Sequence, residues 1–263
     1  MTLSKTLEYV PGFFAQGEPA NPQDVGGYAP HMGLLPGKTW EHVDAYIEGQ
    51  QKTRGVRVKL ILLLRHGEGL HNADKEKYGV QTWEAGQELQ EKYIDAPVTA
   101  KGIEQSQAAG RMLQEEISRG LKIDRVVISP LDRTLHTYAE AFANSRDIPN
   151  TVVELARETL GVVPCDRRKP LAGKRIDFPF ADFSEVQDEE DTWWQSDHRE
   201  TEGEIEDRAQ KLLDYLMHSR SESRICVVAH SGISRACFRV VGHRYYRPWN
   251  GEFVPLLVQE ATA

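Results

Sequence analysis

The 263-residue chain has few cysteines, no long apolar run and no excess of positive charge, and each shortage excludes a class of protein. Its three cysteines form no Cys-x-x-Cys pair, which disfavours a disulfide framework and favours a reducing compartment. No apolar run is long enough to span a membrane. The net charge of -8 disfavours nucleic acids and membrane surfaces as partners. We therefore expect a cytoplasmic protein, with its oligomeric state left open.

A segment punctuated by proline and glycine precedes the main body of the chain. Residues 1–57 lack long periodicity apart from a helical pattern around "WEHVDAYIEGQ", and we interpret them as an extension packed on a main domain at 58–263. From Lys59 onward, strand and helix patterns alternate, which is typical of βα units. The sequence therefore predicts an α/β fold with a mostly parallel central sheet flanked by helices on both faces.

Further helices and an acidic segment complete this outline. Helical patterns occur in "TAKGIEQSQAAGRMLQEEISRG", in "SPLDRTLHTYAEAF", around residues 205–216 and in "ISRACFRVV". Ser129 is expected to cap the second of these helices, with Pro130 at its first position. Residues 182–207 hold twelve Asp or Glu and one Arg, which is typical of a solvated loop or lid surface.

Three predicted strands end in residues that are more typical of a catalytic or binding site than of a turn. The strands "LILLL", "RVVIS" and "RICVVA" run into Arg65, His66 and Gly67, into "PLDR" with Arg133, and into His230 and Ser231. Carboxyl ends of parallel strands share one edge of a sheet, so these groups are expected to converge. Guanidinium groups match phosphate oxygens, and Arg133 is expected in the first turn of a helix, where free N–H groups favour an anion. The pattern predicts a phosphate site.

Other chemistries fit the spacing less well. His66, Glu68 and His71 could ligate a metal, but they lack the spacing of His-Glu-x-x-His, and the arginines beside them repel a dication. No Arg stands six positions after any cysteine, as a cysteine phosphatase requires. The segment "AHSGIS" lacks both glycines of the Gly-x-Ser-x-Gly pattern of serine esterases. We expect neither a metal site nor a cofactor.

Five segments in a fixed order resemble the histidine phosphatase superfamily, also called the phosphoglycerate mutase-like family. They are "RHGEGLHN", "VTAKGIEQ", "SPLDRTLHT", "LARETLG" and "VVAHSG", and they cover roughly residues 58 to 245. Gly69 and His71, the following "YG" and "W", and "PCDRR" resemble the phosphomutase-like branch of this family. The resemblance implies the phosphoglycerate mutase-like fold and a phosphatase that needs no metal and acts on a small phosphoester.

The resemblance also implies a nucleophile and an acid. His66 would attack phosphorus and carry a phosphohistidine, and a backbone carbonyl near Gly67 would fix the tautomer that leaves one ring nitrogen free. Glu158 in "RETLG" matches the proton donor of the family, which protonates the leaving oxygen and then activates water. Glu154 and Asp166 lie nearby in sequence and stay open as alternatives.

The remaining expected site residues bind the substrate. Arg65, Arg133 and His230 would hold the phosphoryl oxygens, and Gly67, Asn72 and Ser231 are expected to line the same pocket. Arg167 and Arg168 in "CDRRKPLAGKR" have two interpretations. They lie at the pocket mouth and bind a second anionic group, or they belong to a solvated basic loop paired with the acidic segment.

Two other functions stay open besides a phosphatase. A phosphoglycerate-type mutase shares the fold, although the extended acidic-aromatic-basic segment of the mutases does not follow Glu158 here. A non-catalytic member that binds or scaffolds a phospho-ligand is disfavoured because every core residue of the family pattern is present.

Overall fold

The computed structural model describes residues 6–18 and 26–261, which form six strands and eight α-helices. The strands are β1 (Leu7–Tyr9), β2 (Val58–Arg65), β3 (Arg125–Ile128), β4 (Asn150–Val152), β5 (Arg224–Ala229) and β6 (Phe253–Glu260). The helices are α1 (Trp40–Arg54), α2 (Leu70–Tyr78), α3 (Val80–Glu84), α4 (Ala100–Ser118), α5 (Asp132–Ala141), α6 (Leu171–Asp177), α7 (Glu202–Asp214) and α8 (Ser231–Val240). Helix α7 continues into a π-helical turn at Tyr215–Ser219.

All six strands belong to one sheet, in the order β1-β6-β2-β5-β3-β4. Strands β2, β5, β3 and β4 run parallel, whereas β6 is antiparallel to β2 and β1 is antiparallel to β6. Strand β2 lies in the interior of this order and is buried along almost its whole length, which explains its continuous apolar sequence. The predicted α/β fold with a mostly parallel sheet is confirmed.

Helices cover both faces of the sheet because successive strand residues point to opposite sides. Leu60, Leu62 and Leu64 pack with buried residues of α1, α4 and α5. Ile61 and Leu63 pack on the other face with buried residues of α7 and α8. The two apolar layers hold the carboxyl ends of the parallel strands at one edge of the sheet.

Ser129 does not cap helix α5 as predicted. The helix begins later, at Asp132, and its N-cap is Leu131, which forms no side-chain cap hydrogen bond. The first N–H group, on Asp132, instead donates to Asp95 Oδ1 at 2.6 Å. The hydroxyl of Ser129 lies 2.8 Å from the ring of His230, so the prediction is wrong because this serine has a partner far away in sequence.

The acidic segment is not uniformly a solvated loop. Asp191 binds the guanidinium of Arg157 through both carboxylate oxygens, at 2.7 and 2.5 Å. The carbonyls of residues 188–190 accept hydrogen bonds of 2.8 to 3.0 Å from Arg168. Two buried arginines therefore anchor the middle of this segment to the body of the protein.

The N-terminal segment shares the sheet and the core of the rest of the chain. Strand β1 extends the sheet by pairing with β6, from Leu7 opposite Glu260 to Tyr9 opposite Val258. Helix α1 buries Trp40, Val43 and Ile47 in the same apolar cluster as β2. In the described ranges no helix is both long enough and apolar enough to cross a membrane, and all three cysteines are buried and free.

We predict that Ile47→Ala destabilises the whole protein. Ile47 is almost fully buried in α1, and truncation of such a side chain costs about 2–5 kcal/mol. Urea unfolding should show a lower midpoint with fluorescence and circular dichroism still coincident, because α1 shares its core with β2.

Gln51→Ala, on the exposed side of α1, is the matched control and should leave the midpoint nearly unchanged. A separate early transition in Ile47→Ala would contradict the shared core.

Candidate active site

The pairing of β2 with β5 brings together two histidines that are far apart in the chain. Arg65 lies opposite Ala229 in this parallel ladder, so His66 and His230 follow their strands side by side. The N–H of His66 donates to the carbonyl of Ala229 at 3.0 Å. Their ring centroids are 5.1 Å apart. The predicted convergence of these strand ends is therefore present.

His66 is held as a neutral imidazole with one nitrogen left for chemistry. Its Nδ1 lies 2.7 Å from the carbonyl oxygen of Gly67. A carbonyl only accepts hydrogen bonds, so Nδ1 carries the proton and Nε2 keeps its lone pair. Burial holds the pKa of His66 well below its usual value, and the positive charges of Arg133 and Arg65 lower it further.

Gly67 positions the loop through hydrogen bonds of both its backbone groups, and its role in substrate binding stays a prediction. Its N–H donates to Thr137 Oγ1 at 2.9 Å, and its carbonyl accepts from His66. A Cβ at this position would lie 2.2 Å from the carbonyl oxygen of Gly102 in α4. Glycine is required because the two backbones are in contact.

Arg133 is fully buried and organises its neighbours. Its guanidinium donates to the carbonyl of Cys165 at 2.6 Å and to Asp166 Oδ1 at 2.8 Å. Its Nε donates to His230 Nδ1 at 3.2 Å, which fixes Nδ1 as an acceptor and places the ring proton on Nε2. That Nε2 donates to Ser129 Oγ at 2.8 Å, so both nitrogens of His230 are bonded to protein groups.

Arg65 supplies a second guanidinium beside His66. Its Nη1 donates to the carbonyl of Pro248 at 2.9 Å, whereas its buried Nε has no hydrogen-bond partner among the residues described. Burial lowers the pKa of Arg65 to about 10; the charge of Glu158 opposes this shift, whereas Arg247, Arg133 and Arg235 add to it. The group keeps its charge at neutral pH and offers an unused donor.

Two of the three candidate acids are committed to ion pairs. Asp166 lies between Arg133 and Arg199, at 2.8 and 2.9 Å. Burial raises its pKa, but these two guanidinium groups outweigh that effect and leave the pKa below its usual value. Glu154 lies between Arg157 and Arg168, at 3.0 and 2.8 Å. Asp166 is thus held as a carboxylate, and each of the two acids is already engaged by two guanidinium groups.

Glu158 differs from these two acids because it makes no ion pair within the described part of the chain. Its Oε2 accepts from the N–H of Gly232 at 3.1 Å and its Oε1 from the N–H of Thr159 at 2.9 Å. A Cβ at Gly232 would lie 1.9 Å from Oε1. The carboxylate therefore rests against the start of α8, two residues after His230.

Asn72 and Ser231 lie beside the two histidine segments. Asn72 Oδ1 accepts from the N–H of Gly69 at 3.0 Å, which leaves the amide nitrogen as the donor available to an anion. Asn250 donates to the carbonyl of His66 at 2.9 Å and so fixes the loop from the other side. Ser231 is the first residue of α8 and is only partly buried.

Of the two interpretations of Arg167 and Arg168, the one that places both at the pocket mouth is wrong for Arg168. Its side chain is 2% exposed, and its nitrogens donate to Glu154 and to four backbone carbonyls, those of Lys169, Asp188, Glu189 and Glu190. Arg168 is a structural residue because its donors are occupied. Arg167 is exposed, with its guanidinium 5.3 Å from the centre of the Trp194 ring.

The alternative of a metal site at His66, Glu68 and His71 finds no support in the geometry. The Glu68 carboxylate accepts from Thr99 Oγ1 and Lys101 Nζ, both at 2.8 Å. Across the described residues, no three His, Cys, Asp or Glu side chains are grouped so that they could hold a metal ion.

His71 is a site residue that sequence reasoning did not include. It lies in the first turn of α2, and its ring centroid is 5.9 Å from that of His66. In the sequence, "RHGEGLHN" presents His71 only as a feature shared with the phosphomutase-like branch and as a candidate metal ligand.

Comparison with known proteins identifies the family. Residues 61–253 match the family model "Histidine phosphatase superfamily (branch 1)". The chain is 34% identical to phosphoglycerate mutase-like protein 1 of Arabidopsis thaliana, over 67% of this chain and 69% of that protein. It is 30% identical to a probable phosphoglycerate mutase of Saccharomyces cerevisiae, over 97% of this chain and 96% of that protein. A putative alpha-ribazole-5'-P phosphatase from Escherichia coli aligns at 22% identity, 74% and 88% coverage, and TM-score 0.48.

We predict that Arg168→Ala and Arg167→Ala affect stability very differently. Arg168 is buried in an ion pair, and removing one partner of such a pair costs about 3–5 kcal/mol. The urea unfolding midpoint of Arg168→Ala should therefore fall. Arg167 is the exposed neighbour, and Arg167→Ala should leave the midpoint nearly unchanged. Equal unfolding midpoints for the two variants would contradict the buried position of Arg168.

Proposed function

Because the chain belongs to the histidine phosphatase superfamily, we propose that it is a metal-independent phosphomonoesterase acting on a small phosphorylated metabolite through a phosphohistidine. The observation that carries the proposal is the state of His66. Its Nδ1 is bonded to the carbonyl of Gly67, so a neutral Nε2 remains beside the guanidinium groups of Arg65 and Arg133. A neutral imidazole flanked by fixed positive charge suits attack on a phosphate dianion.

In the first step, the Nε2 lone pair of His66 forms a bond to phosphorus while the bond to the leaving oxygen breaks. Glu158 donates a proton to that oxygen, so an alcohol departs. The proposal assigns this role to Glu158 because Glu154 and Asp166 are each held between two arginines. Arg65 and Arg133 stabilise the charge on the transferring phosphoryl group.

In the second step, the Glu158 carboxylate takes a proton from a water molecule as that water attacks phosphorus. The bond from phosphorus to His66 Nε2 breaks, and its electron pair returns to the ring. Inorganic phosphate leaves and Glu158 is protonated again, as at the start. No group outside the protein, the substrate and water takes part.

A phosphoglycerate-type mutase is the second candidate, favoured by the names of the relatives. A mutase uses the same phosphohistidine but returns the phosphoryl group to the bound substrate and excludes water. An assay with 3-phosphoglycerate distinguishes the two, because a phosphatase releases inorganic phosphate whereas a mutase forms 2-phosphoglycerate.

We predict that labelled phosphate is trapped on His66. Quenching the enzyme during turnover of a ³²P-phosphoester, in buffer that contains EDTA, should give a protein label that is labile in acid and stable in alkali. His66→Ala should abolish both the label and the activity because the nucleophile is gone. Mass spectrometry of the peptide that contains residues 60–72 locates the label.

His218→Asn, which changes an exposed histidine outside the site, is the control and should keep the label. A label on Ser or Cys, full activity in His66→Ala, or activity that requires an added metal ion would refute the proposed reaction.

We predict that the loss of rate in Glu158→Gln depends on the leaving group of the substrate. An alkoxide needs the proton of the acid, and general acid catalysis typically contributes about 10²- to 10⁴-fold, so alkyl phosphate cleavage should slow by that factor. Transfer from p-nitrophenyl phosphate should suffer less because p-nitrophenolate departs readily unprotonated. Stopped-flow absorbance should show a burst of p-nitrophenol followed by slow turnover, since the same carboxylate activates water.

Glu154→Gln is the matched comparison. It weakens the ion pairs with Arg157 and Arg168, so it should lower stability without producing the dependence on the leaving group. If Glu154→Gln produces the burst and Glu158→Gln slows both esters equally, the proton donor is Glu154.

A further inference from the structure

Two imidazoles flank His66, and they differ in what holds them. The ring of His230 lies 5.1 Å from that of His66, and the ring of His71 lies 5.9 Å away, both measured between centroids. Both nitrogens of His230 are bonded, one to Arg133 and the other to Ser129. His230 can reach a phosphoryl oxygen only if its Nε2–H is shared with or released from Ser129.

His71 has no such bonds. Its Nδ1 is buried without a hydrogen-bond partner, and Nε2 forms no hydrogen bond to any residue in the described ranges. A neutral imidazole carries one N–H donor and one acceptor. Leaving a buried polar group unpaired is energetically unfavourable, so this ring requires an explanation beyond packing.

The neighbouring backbone makes room for this ring. A Cβ at Gly69 would lie 2.7 Å from His71 Cε1 and 2.8 Å from Nδ1, so any larger residue there would displace the imidazole. The φ of Gly69 is -88°, which every residue adopts readily, so glycine is required here for space alone. Asn72 Oδ1 holds the Gly69 N–H and fixes the start of α2.

The charges around His71 keep it neutral and point to an anion as its partner. Burial lowers its pKa to about 3, Arg133, Arg65 and Lys75 lower it as well, and Asp166 opposes them. These groups come from α5, β2, α2 and the turn at residues 164–166. Arg65, which also acts on His71 electrostatically, likewise has a buried nitrogen for which the described residues provide no acceptor.

We propose that His71 is a further catalytic residue, whose ring N–H donates a hydrogen bond to an oxygen of the phosphoryl group while that group is attached to His66. The inference rests on the proposed phosphohistidine. A phosphoryl group on His66 would lie close to both neighbouring rings, whose centroids are 5.1 and 5.9 Å from that of His66, and its oxygens are the acceptors that His71 and Arg65 Nε lack. His230 instead holds Arg133 in place and contributes its Nε2–H only when it leaves Ser129.

The direct test uses the wild-type protein and does not depend on turnover. Protein labelled with ¹⁵N at histidine is titrated with orthovanadate, which occupies a phosphoryl site. The ring nitrogens of His71 should shift, and its pKa should rise by at least one unit, because the bound anion favours the charged imidazole. His243, a buried histidine that also has an unpaired ring nitrogen among the described residues, should not respond.

Kinetics of His71→Asn give the second test. Removing one donor to a developing oxyanion typically costs about 10²–10³-fold in kcat, so this loss is expected with little change in unfolding midpoint. Phosphohistidine formation at His66 should slow by the same factor, whereas His243→Asn should not slow it. The inference is overturned if the ring nitrogens of His71 do not shift at saturating vanadate while those of His66 do. Full activity of His71→Asn would overturn it as well. Vanadate binding without any label on His66 would refute the phosphohistidine reaction alone.

Discussion

The buried guanidinium of Arg133 is the interaction on which the site depends. A fully buried cation needs acceptors for its N–H groups, and Asp166, the carbonyl of Cys165 and the ring of His230 provide them. The contact with His230 fixes the tautomer of that ring. The charge adds to burial in lowering the pKa of His66, and both effects act on His230 as well. Positive charge is thus supplied by a group that cannot act as a nucleophile, while the imidazoles stay neutral.

The convergence of the histidines could be predicted from the sequence because it follows from strand direction alone. Apolar runs identify β2 and β5, and parallel strands present their carboxyl ends together. The role of Ser129 could not be predicted in this way. A serine before a proline is a strong local signal for a helix cap, but its observed partner is His230, 101 residues away. Local patterns carry no information about such a partner.

The same limit explains why Arg167 and Arg168 could not be separated. They are adjacent and chemically identical, yet one is exposed over an aromatic ring and the other is buried among carbonyls of the acidic segment. Selecting among the three acids had the same difficulty. What distinguishes Glu158 is that Glu154 and Asp166 are each paired with two arginines whereas Glu158 forms no ion pair among the described residues, and only the folded chain fixes those pairs.

The Gly67 carbonyl has a role in both states of the proposed reaction. Before attack it holds the proton on Nδ1 of His66 and leaves Nε2 free. Once Nε2 is bonded to phosphorus, the ring shares positive charge, and the Nδ1–H bond to this carbonyl becomes a charge-assisted hydrogen bond, which is roughly twice as strong as a neutral one. The carbonyl can stay in place because Gly67 has no Cβ and packs directly against Gly102. Close packing of α4 on this loop therefore keeps the carbonyl where its hydrogen bond can strengthen when the proposed phosphohistidine forms.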